Sequence, residues 1–399
     1  MERLFFFIVS LYIIFIPLGN ALVFITSNTK LDIIIAISLF ILVTIDFLYK
    51  NIIIKKINLL YFILFSILFL SIIISSLVSF DIKKSAFGGA ITLGYVWVTG
   101  TCALFLVKKK TQSLYTVLFY SLILSFFIQI YSISGFIDNP WQRATIPVIM
   151  LQDFSWHIPP GDIKTDPNVL AFGVVLSYFY LNAAKITISK RLISLVIVIS
   201  TLLMTESRSA FIGFITSALF YLTYIYIIKN GIKKTFTYII CITTCLFMVS
   251  FILYIYSFHL DRIYTPNILS RLFSIGNDLS SNSRLQGINT AIDLIKNSSW
   301  FRVIFGHGVD HILYHTDPHN IFIATMYNQG LFGLIILILF FILMCFFSIK
   351  SGDNKALSLT IVLFLFIISN LYWQTKILWV GFLFVMTLYY RNQYKCTHH

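Results

Sequence analysis

Long apolar blocks alternate with short polar breaks along the whole of this chain. A helix needs roughly 20 apolar residues to cross the hydrocarbon core of a bilayer. Blocks of that kind predict spans near 4–26, 31–49, 57–79, 86–107, 113–135, 167–186, 192–206, 209–228, 235–257, 319–347, 356–372 and 377–390, twelve in all. Backbone groups in lipid must find partners within their own segment, so each block is expected to be helical. The predicted fold is an all-α polytopic membrane protein, with residues 1–399 as a single integral membrane domain. The opening stretch MERLFFFIVSLYIIFIPLGN has no small-residue cleavage site after it and is expected to be the first span.

Two polar stretches interrupt the pattern, at about 136–166 and 258–318. Long connections on a compact scaffold tend to carry function. Within the second, SSNSRLQGINTAIDLIKNSSW places Leu285, Ile288, Ile292 and Ile295 at helical spacing, with Asn282 or Ser283 as N-cap. This predicts a short amphipathic helix lying on the membrane or on the bundle, with Arg284 in its first turn.

Composition agrees with the pattern. Of 399 residues, 58% are hydrophobic and 11% charged, where a soluble domain carries about 25% charged residues. The net charge is +14. With the N-terminus in the cytoplasm, 17 of the 29 lysines and arginines fall inside, against three acids. The outer side balances to zero. This is the positive-inside arrangement, with both termini cytoplasmic and both long loops outside. The basic charge is therefore a topology signal and no evidence for nucleic-acid binding, so no nucleic-acid partner is expected. The five cysteines lie in apolar runs or near the C-terminus, so no disulfide is expected.

The basic residue types also segregate. Lysine dominates inside, whereas Arg143, Arg208, Arg262, Arg271, Arg284 and Arg302 fall outside. A guanidinium binds phosphate through two parallel hydrogen bonds, which an ammonium cannot do. The set points to an anionic ligand, against the plainer reading that each arginine pairs with a loop acid. In TESRSAFIGF, Glu206 and Arg208 sit where two apolar spans meet. Ionisable groups near membrane depth are costly and mark functional sites, although a Glu206–Arg208 pair could merely cap a tight hairpin.

HGVDHILYHTDPHN carries His307, His311, His315 and His319 at intervals of four. Gly306, Gly308 and Pro318 argue against one helix through all four and against a stripe of metal ligands. His319 follows Asp317-Pro318 and opens an apolar span beside Asn320, which would fix it at the mouth of the bundle as a general base. The other three histidines are expected to shape or solvate the loop. In NPWQRATIPVIMLQDFSWHIPPGDIKTDPNVLAF, Trp141 and Trp156 fit interface anchoring or sugar stacking. Its acids Asp138, Asp153, Asp162 and Asp166 lack any spacing that demands a glycosidase pair.

Taken in order, ESRSAF, SRLQGINTAIDLI, FGHGVDH and DPHNIFIATMYNQGLFG resemble the O-antigen ligase and polymerase superfamily. The resemblance covers most of the chain and is strongest from Asp166 to Gly333. It implies an inverting glycosyltransferase in the bacterial inner membrane with a periplasmic site, needing neither metal nor nucleotide sugar nor other cofactor. The implied donor is an undecaprenyl-diphosphate-linked glycan. The acceptor is a second lipid-linked glycan for a polymerase, or lipid A–core for a ligase. By resemblance His319 and Arg208 are catalytic. Arg284, with Arg262 or Arg271, holds the diphosphate, and Arg143, Glu206 and Asn320 complete the substrate site. Two arginine-bearing outer loops and the DPNVLAF segment favour polymerase over ligase, in lipopolysaccharide biosynthesis. A chain-length regulator stays open as a partner, and a lipid-linked glycan transporter is the remoter alternative.

Overall fold

A computed structural model describes residues 2–14, 16–18, 23–26, 29–50, 59–79, 81–109, 111–133, 149–152, 155–157, 167–184, 186–224, 279–308, 320–369 and 376–396. The helices are α1 Glu2–Ile14, α2 Leu31–Lys50, α3 Leu59–Val78, α4 Ile82–Lys109, α5 Thr111–Ile133, α6 Pro167–Asn182 and α7 Ile188–Thr205. Residues 208–224 form α8. Then come α9 Leu279–Lys296, α10 Trp300–Phe305, α11 Ile321–Lys350, α12 Asn354–Ser369 and α13 Lys376–Cys396.

Four of the described helices are long and apolar enough to cross a membrane, in α3, α5, α7 and α11. Their outward faces stay apolar: Leu59, Phe62 and Phe69 on α3 and Ile342, Phe346 and Ile349 on α11 are all exposed. Rows like these are costly against water and neutral against lipid tails. The twelve-span count reaches beyond these four, and its ninth span, 235–257, lies outside the described residues.

The first expected span, 4–26, needs correcting. Helix α1 has 13 residues, about 20 Å at 1.5 Å per residue, and stops before Pro17. The chain then turns, with the Ile16 amide donating to Ile13 O at 3.0 Å. Carbonyls freed inside the bundle need donors. Ser121 and Ser125, one turn apart on α5, donate to Ile14 O and Pro17 O. Beyond the turn the chain enters a small sheet that the helical reading does not contain. Strands β1 Val23–Thr26, β2 Thr29–Lys30, β3 Ile149–Gln152 and β4 Ser155–His157 line up in the order β2-β1-β3-β4. Strand β1 runs parallel to β3, with Val23 opposite Ile149, and the other pairs are antiparallel.

The core lies among α3, α4, α6, α11, α12 and α13. Tyr180 of α6 stacks on Phe384 of α13 at 3.8 Å, and Phe172 of α6 meets Phe366 of α12 edge-on at 4.6 Å. Hydrogen bonds also join the helices, such as Thr99 Oγ1 to Trp379 O at 3.1 Å and Tyr61 Oη to Val96 O at 2.5 Å. Close packing between apolar helices supplies the rest.

One end of the bundle gathers basic residues around the C-terminus of α6. Lys355 Nζ donates to Asn182 O, Arg391 Nη1 to Ala183 O at 3.3 Å and Arg191 Nη2 to Ala184 O at 3.2 Å. Arg391 also donates to Tyr115 Oη and pairs with Asp353, both at 3.1 Å. Three cations from α7, α12 and α13 thus satisfy successive carbonyls where the helix dipole favours positive charge.

Helix α11 holds the main departure from the expected layout. Gly330 has φ 68°, ψ −169°, a conformation open to glycine alone, and it breaks the helix. The Phe322 ring lies 6.1 Å from Phe341, which lies 6.2 Å from Phe364 of α12. In a straight helix Phe322 and Phe341 would stand about 28 Å apart. Residues 321–329 therefore fold back beside 331–350 as a half-helix. The second part alone is about 30 Å long, enough to cross a bilayer. The expected span 319–347 is thus two segments, and the start of the first lies level with Phe341, about midway along the second.

Candidate functional site

Two polar corners lie near the end of α12. The first is the α7–α8 turn. Glu206 closes α7 in the left-handed region, φ 50°, ψ 33°, the one non-glycine there among the described residues. A side chain held in that region costs of order 1–3 kcal/mol and is a recurrent mark of functional sites. Ser207 is buried and caps α8: its Oγ accepts from the Ala210 amide at 3.4 Å, and its carbonyl accepts from the Phe211 amide at 3.0 Å. The same hydroxyl donates to Asn168 Oδ1, 2.9 Å away in the first turn of α6. Arg208 follows as the first residue of α8. Glu206 and Arg208 are both partly exposed. The sequence reading singled out the charged pair and missed Ser207 and Asn168, which position it. Their only signals were the Asp-Pro-Asn punctuation before α6 and a serine at a helix start.

The second corner is the N-terminus of the α11 half-helix. Asn320 is its N-cap, with Oδ1 accepting from the Phe322 and Ile323 amides at 3.0 and 3.3 Å. Its oxygen thus serves the fold, a role additional to the substrate contact expected of Asn320. His319, adjacent to it, lies outside the described residues, as do Arg143, Arg262 and Arg271.

Three consecutive residues of α12 tie the corners together. Phe364 touches Phe341, which carries Phe322 of the half-helix. Leu365 lies against Gly213 of α8, with 3.9 Å between its Cβ and the place a glycine Cβ would take. Phe366 packs on Phe172 of α6. The starts of α6 and α8 reach this stretch of α12 directly, and the half-helix reaches it through Phe341.

Helix α9 packs against the half-helix. Ala291 is fully buried against Tyr327, with Ile295 and Ile323 beside them. The helix begins at Leu279, so Asn282 and Ser283 lie within it and do not cap it, and Arg284 falls in its second turn. Leu285 is 55% exposed and does not join the buried face. The break at Gly330 frees the carbonyls of Tyr327 and Asn328, and the FGHG segment satisfies both. Tyr327 O accepts from the His307 amide at 3.0 Å and from Nδ1 at 3.1 Å. Asn328 O accepts from the Gly308 amide at 2.9 Å and from Ser75 Oγ at 2.8 Å. The backbones approach so closely that a Cβ at Gly306 would stand 2.2 Å from Asn328 O. Likewise a Cβ at Gly330 would stand 2.2 Å from Ile304 O. His307 is buried and shapes the loop, without being solvated. His311 and His315 lie outside the described residues.

Apolar outward faces, helices joined by packing, and polar corners collected at helix starts define a multi-pass membrane protein. Residues 193–338 match the family model described as O-Antigen ligase, which establishes the resemblance to the O-antigen ligase and polymerase superfamily that the motifs suggested. The matched segment contains the α7–α8 turn, α9, α10 and the half-helix of α11. A search of curated proteins gives no match.

Proposed function

We propose that the chain is an O-antigen polymerase-like glycosyltransferase of the inner membrane. It joins undecaprenyl-diphosphate-linked repeat units at the periplasmic face, with both termini cytoplasmic. The observation that supports this most is that the Arg208 corner packs on Leu365 and Phe366 of α12, while the half-helix that His319 precedes reaches the neighbouring Phe364 through Phe341. A half-helix whose N-terminus points into a bundle favours negative charge there.

In this reading His319 takes the proton from the acceptor hydroxyl, whose oxygen attacks the anomeric carbon from the face opposite the leaving group. The bond from that carbon to the diphosphate oxygen breaks, and undecaprenyl diphosphate departs with the electron pair. Configuration inverts and no covalent enzyme intermediate forms. Arg208 and Arg284, with Arg262 or Arg271 and with Arg143, stabilise the charge on the departing diphosphate. Such preorganised donors act most strongly in a site shielded from water. Holding donor and acceptor side by side adds the proximity contribution.

The description of the matched family favours a second reading, the ligase that transfers finished polymer to lipid A–core. A lipopolysaccharide gel on a strain lacking the gene separates the two. Core bearing a single repeat unit identifies a polymerase. Bare core with accumulated lipid-linked polymer identifies a ligase. Unchanged lipopolysaccharide sinks both readings.

A further inference from the structure

His307 is not needed as a base, yet it is among the most tightly held polar groups near the site. Only 6% of it is exposed. Its ring stacks on Tyr327 at 4.3 Å with planes 12° apart. A carbonyl only accepts, so Nδ1, at 3.1 Å from Tyr327 O, carries a proton and donates it. Nε2 lies 3.0 Å from Ser298 Oγ, in the turn between α9 and α10. Because Nδ1 holds the ring proton, Nε2 accepts, and the single proton of the Ser298 hydroxyl serves either Nε2 or Leu294 O, 2.6 Å away. One imidazole therefore bridges two pieces of the molecule: the α9–α10 turn on one side, and on the other the half-helix just before its break.

The break makes this bridge consequential. A continuous helix holds its own direction through successive hydrogen bonds. At Gly330 those bonds are interrupted, and the angle of the half-helix depends on what grips it from outside. Among the described residues the grips include the Ser75 hydroxyl, the amides of His307 and Gly308, the α9 face around Ala291, the packing of Ile321 and of Phe322 on Phe341, and the His307 ring. Of these, the ring alone ties the half-helix to Ser298.

We propose that His307 is a positioning residue: its imidazole clasps the half-helix of α11 to the α9–α10 turn and thereby sets where the half-helix presents its N-terminus. Asn320 caps that N-terminus, and His319 precedes it in the chain. The catalytic consequence rests on the glycosyltransferase reading above, whereas the structural clasp does not.

The test compares full-length wild type with His307→Ala and His307→Asn in detergent. Asparagine places a donor where Nδ1 stands but cannot reach Ser298 or stack on Tyr327. The primary readout is amide hydrogen exchange over residues 320–330, with α12 and α13 as internal controls. Loss of the clasp is expected to speed exchange in 320–330 by about tenfold in His307→Ala, less in His307→Asn, with the controls unchanged. The second readout is steady-state transfer from a lipid-linked oligosaccharide. Here kcat should fall in the same order while KM for the donor holds, because chemistry and not binding is misaligned. Exchange over 320–330 equal to wild type in both variants overturns the proposal. So does exchange that rises equally in α12 and α13, which marks general destabilisation. If His307→Ala fails to accumulate, His307→Asn decides by the same criteria. Wild-type protein that transfers no glycan refutes the proposed function and leaves the exchange comparison to decide the clasp.

Discussion

The two ends of the bundle use the same kind of residue at opposite poles of a helix. At the basic end, Lys355, Arg391 and Arg191 sit on the last carbonyls of α6, where the helix dipole favours a cation and each head group has a backbone acceptor. At the other end, Arg208 is the first residue of α8, behind the Ser207 cap, where the dipole disfavours a cation by about 0.3–1 kcal/mol. The first arrangement stabilises the fold. The second spends stability, and an anion held at the same place would recover it. The difference teaches that position on a helix, more than charge itself, separates structural cations from candidates for chemistry.

The comparison can be broken from either side. The largest effect is expected at His319, where His319→Ala should lower transfer at least about 100-fold with expression intact. Full activity in that variant removes the proposed base. Next comes Arg208. Replacing it with alanine should lower the transfer rate about 100-fold, and Arg208→Lys should recover only part, because a point charge lacks the fork. Equal activity in the lysine variant would show that charge alone matters. At the basic end the expected loss is one of stability. Arg391→Ala leaves Asp353 and Ala183 O without their partner and should lower stability by about 3 kcal/mol. Transfer per folded molecule should stay unchanged, as thermal unfolding beside an activity assay would show. The smallest effect belongs to Asn320. Asn320→Ala should lose a cap worth about 1 kcal/mol, while Asn320→Asp keeps it. Undiminished transfer in the aspartate variant would assign Asn320 to capping alone.

Much of the helical layout is legible in the apolar blocks. The expected span 57–79 appears as Leu59–Val78, and 113–135 as Thr111–Ile133. Hydropathy reports length and not direction, which is why α11 misleads. IFIATMY and LFGLIIL are both apolar on the two sides of Gly330, so hydropathy alone does not tell a chain that doubles back from one that runs straight. The clue was the pair of glycines in NQGLFG. The short α1 is hidden for a similar reason, because VFIT suits a strand as well as a helix. At the site, Glu206 and Arg208 stand out as charges in an apolar setting, whereas Asn168 and Ser207 become meaningful only once α6 and α8 are side by side. His307 shows the reverse error: spacing grouped it with three other histidines, and burial separates it from solvent.

The fold-back of α11 sets the position of Asn320, which follows His319 in the chain, and the glycosyltransferase account depends on His319 doing chemistry there. The most direct test is a transfer assay in detergent, with purified protein and an undecaprenyl-diphosphate-linked oligosaccharide as both donor and acceptor, wild type beside His319→Ala. The account predicts longer lipid-linked glycans and released undecaprenyl diphosphate with wild type, and neither with the variant. Equal product from the two proteins would contradict the assignment of His319. No product from wild type, with or without lipid A–core as acceptor, would contradict glycan transfer itself.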